Sequence, residues 1–164
     1  MGTARILLPP LRLLARVGVR AGGPLLGAAL TRCLTPGWVL LRPQPPTRRL
    51  AWGEESVAIY RALTARGGGR AAHRDGLARS LALYAHVLLQ TGRYEDALAA
   101  ADESLAVPGA RASSTQTAYT LHARALALAE TDRLAEALTV ARDCVAAWQR
   151  ATTDPFPSFV YRIP

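Results

Sequence analysis

The 164-residue chain has no lysine and no asparagine; all 20 of its basic residues are arginine. Nothing physical keeps lysine off a protein surface, so its absence reads as codon pressure from a GC-rich genome, such as an actinobacterium's, and not as a binding signature. Cysteine is nearly missing too. Cys33 and Cys144 lie far apart and form neither a CxxC nor a metal-ligand spacing, which argues against a disulfide framework and a zinc module. Two free thiols in a cytoplasmic chain are the expectation. Aromatics are sparse, with two Phe, three Trp and five Tyr. A hydrophobic half built mostly of Leu and Ala suits closely packed helices better than a sheet, because both are strong helix formers.

Acids are missing from the first 53 positions, which hold eight Arg; Glu54 is the first acid. Residues 54 to 164 carry twelve Arg and twelve acids, so the net charge of +8 belongs to the N-terminal third. The balanced remainder argues against a nucleic-acid face. Long apolar runs are missing as well. A spanning helix needs about 20 apolar residues, and the stretch Ala21 to Thr31 is short and broken by Gly22, Gly23 and Pro24. Arg32 stands where signal-peptide cleavage requires small side chains. Leu7, Leu8, Leu11, Leu14 and Val17 share a helix face beside Arg12, Arg16 and Arg20, a basic amphipathic stretch of the kind that lies on a membrane surface. Residues 1–50 therefore read as an Arg/Pro-rich N-terminal segment, weakly ordered or partly helical, with Pro43, Pro45 and Pro46 marking a linker.

From Trp52 onward acids appear, proline vanishes for over fifty residues and the apolar spacing becomes helical. Leu77, Leu81, Tyr84 and Leu88 line one helix face, and Thr91-Gly92 ends it. Tyr94, Ala97, Leu98, Ala101 and Leu105 line the next, which stops at Pro108-Gly109. Ser113, Ser114 and Thr115 are candidate caps for a helix carrying Ala118, Leu121, Ala125 and Leu128. Leu134, Ala137, Leu138, Ala141 and Val145 line the last. The second helix of the hairpin recurs: Ala97 aligns with Ala137, an offset of 40, which also brings Gly92 onto Asp132, Leu98 onto Leu138 and Ser104 onto Cys144. Glu54-Glu55-Ser56-Val57 matches Glu95-Asp96-Ala97-Leu98 at an offset of 41. Near-equal offsets of this size point to a helical solenoid.

Gly-Arg-Tyr-Glu-Asp-Ala-Leu at 92 to 98 resembles the turn and second-helix start of a tetratricopeptide repeat. The long period, with LARSLALYAHVLLQTGRYEDALAAADESL, is similar to the tetratricopeptide variant abundant in actinobacteria. The resemblance implies small residues at the helix crossings, matched by Ala97, Ala101, Ala137 and Ala141. Ala85 and Ala125 stand where the family has a first-helix glycine, and Arg124 on a usually apolar position. The expected fold is all-α: a short helical-hairpin solenoid over residues 51–152, preceded by the N-terminal segment and followed by an apolar tail, 153–164.

No constellation suggests catalysis, a metal or a cofactor. His73, His86 and His122 have no Cys or carboxylate at ligand spacing. Gly67-Gly68-Gly69 lacks the strand and the Lys-Ser/Thr of a phosphate loop. The resemblance implies instead a concave groove, lined by the first helix of each hairpin, that grips a peptide or helix of a partner. The faces opposite the packed ones carry Arg79, Leu83, His86 and Gln90 on one first helix, and Tyr119, His122, Leu126 and Glu130 on the next. A non-enzymatic interaction scaffold is the leading expectation. The alternative is a membrane-peripheral adaptor anchored by the basic N-terminus. Val145 and Trp148 on the last helix, with the apolar tail, make self-association through the C-terminal edge a further expectation.

Overall fold

The computed structural model describes residues 12, 22–35, 44–65, 70–108, 110 and 113–153. Among these it is all-α, with six helices and no strand: α1 (Gly22–Cys33), α2 (Pro46–Ala65), α3 (Ala71–Leu89), α4 (Tyr94–Ala106), α5 (Ser114–Glu130) and α6 (Leu134–Thr153). The amphipathic stretch around Leu7 to Val17, apart from Arg12, and the tail beyond Thr153 lie outside the described residues, as do the three glycines at 67 to 69. No helix among the described residues is long and apolar enough to cross a membrane.

Each helix packs on the next, and α1, α3 and α5 also touch one another in succession. The alternate helices α2, α4 and α6 make no such direct packing contact among the described residues. Two layers result. Long side chains tie the outer one together: Arg61 of α2 pairs with Glu103 of α4, and Arg93 reaches Glu54 at 3.6 Å. Arg124, on its unusual position, pairs outward with Asp102 of α4 at 2.6 Å, so the charge never enters the core.

The two hairpin turns share one backbone pattern. Gly92 has φ +74° and Asp132 φ +59°, the left-handed conformation open to glycine and tolerated by aspartate. Arg93 N–H donates to the Leu88 carbonyl at 3.0 Å, and Arg133 N–H to Leu128 at 2.9 Å. Thr91 and Thr131 hydroxyls close the ends of α3 and α5 on the same two carbonyls. Arg93 then pairs with Asp96, as Arg133 does with Glu136. Within the hairpins, the Ser104 hydroxyl donates to the Ala78 carbonyl at 2.8 Å, and forty residues on the Cys144 thiol donates to Ala118 at 3.3 Å. Ser113 caps α5, its Oγ accepting from Gln116 N–H.

Upstream, the structure adds what the repeat pattern lacks. Pro46 is the first residue of α2, where a missing N–H costs nothing, so this helix starts inside the stretch read as a linker. The helix packed against it is α1, which also touches α3. Leu26, Leu30, Cys33 and Leu34 form an apolar cluster with Trp52, Leu83 and Val87. Thr31, Ser56 and Ser80 meet in a buried triangle with all three O···O distances at 2.8 Å. A larger core joins Val57, Tyr60, Leu77, Leu81, Leu88, Leu98 and Leu128 around small residues.

Those small residues set how closely the helices approach. Ala97, Ala101 and Ala137 are buried, whereas Ala141 is half-buried at the α6 edge. The Tyr60 ring packs against two glycines. A Cβ on Gly76 would come within 2.2 Å of Tyr60 Cε1, and one on Gly27 within 2.9 Å of Cε2. Gly76→Ala gains about 1 kcal/mol of helix propensity, but overpacking costs about 1–3 kcal/mol, and a ring hemmed on two sides has little room to give. The variant should lose stability in urea unfolding; a stabilised Gly76→Ala would mean the ring moves freely. Ala97→Leu should likewise cost about 1–3 kcal/mol, while Ala141→Leu should leave the midpoint nearly unchanged.

Candidate functional site: a ring stack between α3 and α5

The packing of α3 on α5 brings together residues 33 positions apart. His86, in the second half of α3, packs against Tyr119 with ring centroids 3.7 Å apart and planes tilted by 31°. His122, one turn beyond Tyr119, also stacks on His86, at 5.4 Å and 21°. His86 Nε2 lies 2.9 Å from the Tyr119 carbonyl. A carbonyl only accepts, so this nitrogen carries the proton and the neutral tautomer is fixed. Burial pushes the His86 pKa down to about 4; the carbonyl bond opposes the shift and the charge of His122 adds to it. The ring is therefore neutral at physiological pH, an aromatic surface with one polar edge spent on backbone.

Burial raises the Tyr119 phenol to about 12, and the positive charge of Arg49 acts against that rise. Arg49, in the first turn of α2, thus lies within electrostatic reach of the phenol. It is buried, 8% exposed, and its Nε has no hydrogen-bond partner among the described residues. Beside it, Leu50 and Tyr119 pack on the cluster that contains Trp52, Leu83 and Val87.

Of the eight residues expected to line a groove, the structure brings His86, Tyr119 and His122 into one stack. Leu126 follows His122 by one turn on α5 and is 42% exposed. Gln90 and Glu130 are exposed at the ends of α3 and α5. Arg79 is exposed two turns before His86, near enough to Tyr60 to act on its phenol. Leu83 is 1% exposed, because α1 lies over it. The surface is therefore half-covered at His86, exposed at Gln90 on α3 and at His122, Leu126 and Glu130 on α5, and filled by the chain's own helix at Leu83. Arg49 was not legible from sequence. Its one signal is an arginine in the opening turn of a helix whose start was read as a proline linker. Among the described residues no three His, Cys, Asp or Glu side chains cluster as metal ligands.

The chain matches no protein-family model, no curated protein and no solved structure.

The neutral His86 has a consequence for stability. Its ordinary pKa is 6.5 and its folded value about 4. Below 6.5 the unfolded chain binds a proton that the folded chain refuses, so stability falls with pH until both states are protonated below about 4. His86→Phe keeps a ring in the stack and removes the titration. Its melting temperature should fall less than the wild type's as pH drops below 6.5. Parallel curves would show that His86 is charged in the folded state.

Proposed function

We propose that this chain is a short tetratricopeptide-like helical-hairpin solenoid that serves as a non-enzymatic scaffold, gripping a peptide or helix of a partner protein along α3 and α5. The observation that carries this reading is the stack of His86, Tyr119 and His122 beside exposed Leu126. Ring faces with polar edges next to an apolar side chain are what a recognition surface offers, and rings bring large contact area at low entropic cost. The layering supports the repeat architecture. Inner helices that touch, and outer helices that do not, are the arrangement of a stack that curves toward its inner side. The turns at Gly92 and Asp132, repeated at an offset of 40, support it independently.

With α1 over Leu83, the available face consists of His86 and Gln90 on α3 and His122, Leu126 and Glu130 on α5. Leu126→Glu and His122→Glu place charge on that face without entering the core. Each should weaken partner capture by the full chain about tenfold, as central contacts do, with unchanged circular dichroism. Ala99→Glu, on the exposed side of α4, should leave capture intact. A partner held equally by all three variants would remove α3 and α5 from the interaction.

A further inference from the structure

Among the described residues five arginines open to water have carboxylate partners, and the buried one has none. Arg12 pairs with Glu55, Arg61 with Glu103, Arg93 with Asp96, Arg124 with Asp102 and Arg133 with Glu136, all with side chains partly or largely open to water. There an ion pair adds little, because solvent already stabilises both charges. Arg49 is the buried arginine among the described residues, and it has no carboxylate partner among them. A buried guanidinium without a counter-charge is strongly unfavourable. Folding alone favours the opposite distribution.

The surroundings raise the positive potential further. The first turn of α2 contains no acid and carries Arg48 as well. A helix start is the positive pole of the backbone dipole, where acidic side chains are the stabilising choice. Arg48 is engaged elsewhere, donating to Gln44 Oε1 at 2.9 Å. Leu50, the chain neighbour of Arg49, and Trp52, one turn on, belong to the apolar cluster with Leu83 and Val87, and the Tyr119 phenol within electrostatic reach of Arg49 packs against neutral His86. One buried positive charge matches one negative charge, and the guanidinium fork fits a carboxylate through two parallel N–H···O bonds.

We propose that Arg49 is an anion receptor at the edge of the α3–α5 face, taking a side-chain carboxylate from an acidic segment of the partner. This rests on the reading of that face as an interaction surface, and it names the chemistry the partner must bring. The partner's carboxylate supplies the counter-charge that the chain itself withholds, so occupancy relieves a cost present in the free protein. A ligand held at Arg49 lies within electrostatic reach of the Tyr119 phenol, whose ring packs against His86.

The test uses the full chain at low ionic strength with acetylated, amidated hexaglutamate as the probe and hexaglutamine as its neutral control. The chain has three histidines, so the ring signals of His86 and His122 can be followed by NMR. Hexaglutamate should shift both in the wild type and hexaglutamine neither. Arg49→Met should bind hexaglutamate about tenfold more weakly, the loss expected for a charge-assisted fork. Arg48→Met should bind within about twofold of wild type, as expected for a rim charge. Arg49→Lys, which keeps the charge and loses the fork, should fall between. Without any probe, Arg49→Met should melt higher than the wild type, because it removes an unpaired buried charge. A lower melting temperature, or failure to fold, would make Arg49 a structural residue and overturn the proposal. Equal losses in the Arg48 and Arg49 variants would reduce the effect to diffuse positive charge and overturn it too. Shifts produced by inorganic phosphate and not by hexaglutamate would overturn the carboxylate assignment. The broader reading fails separately: partner capture that survives Leu126→Glu and His122→Glu removes the face, whatever Arg49 binds.

Discussion

Three hydroxyl groups, buried where α1, α2 and α3 cross, fix the geometry on which the candidate site depends. Thr31, Ser56 and Ser80 hydrogen-bond to one another, and the Thr31 hydroxyl also lies 2.8 Å from the Gly27 carbonyl. Away from water, a hydroxyl that loses its partner pays its full desolvation cost, roughly 1–3 kcal/mol. Sliding α1 along the other two helices would break several of these bonds together. The triangle therefore sets a register as well as a contact. Within that register Leu26 and Leu30 land in the cluster with Leu83 and Val87. The face shared by α3 and α5 is thereby covered at Leu83 and only half-covered at His86.

The energetics of the two layers differ in kind. Small side chains, Ala97 and Ala101 of α4 and Ala137 of α6 among them, let the two layers approach, and their dispersion contacts add up over many atom pairs. The outer helices are bridged by exposed ion pairs, each contributing about 0–1 kcal/mol and screened by salt. Raising ionic strength thus loosens the outer layer's ties while leaving the inner packing intact.

Residues 71 to 150 were readable because their chemistry repeats. Ser104 and Cys144 aligned as letters forty apart, and both turned out to donate to carbonyls that are themselves forty apart, Ala78 and Ala118. Gly92 and Asp132 looked dissimilar, yet both take the left-handed turn. Upstream the signal fades. Helix α1 is a run of Gly, Leu and Ala with no acid, and nothing in it copies the later hairpins. Its partner hydroxyls sit 25 and 49 residues away, so no local pattern reveals them. Leu83 shows the same limit. Its position marks the inner face, and only the long-range docking of α1 decides that this part of the face is covered. Arg49 was hidden for a related reason, since its burial depends on the helices that gather around the start of α2.

The two cysteines lie at opposite ends of the helix order, Cys33 on α1 and Cys144 on α6, and both are buried. Burial raises the Cys33 thiol to about 11 and pushes Cys144 upward as well, with a hydrogen bond involving Trp148 acting the other way. Because the thiolate is the attacking form, neither reacts readily with an alkylating reagent while its helix stays docked. Exposure requires local opening, and in a chain whose helices touch mainly their neighbours the two ends can open independently. The sequence therefore carries a separate chemical clock at each end of the fold. Alkylation that reaches Cys33 well before Cys144 would time the release of α1 while α5 and α6 remain together.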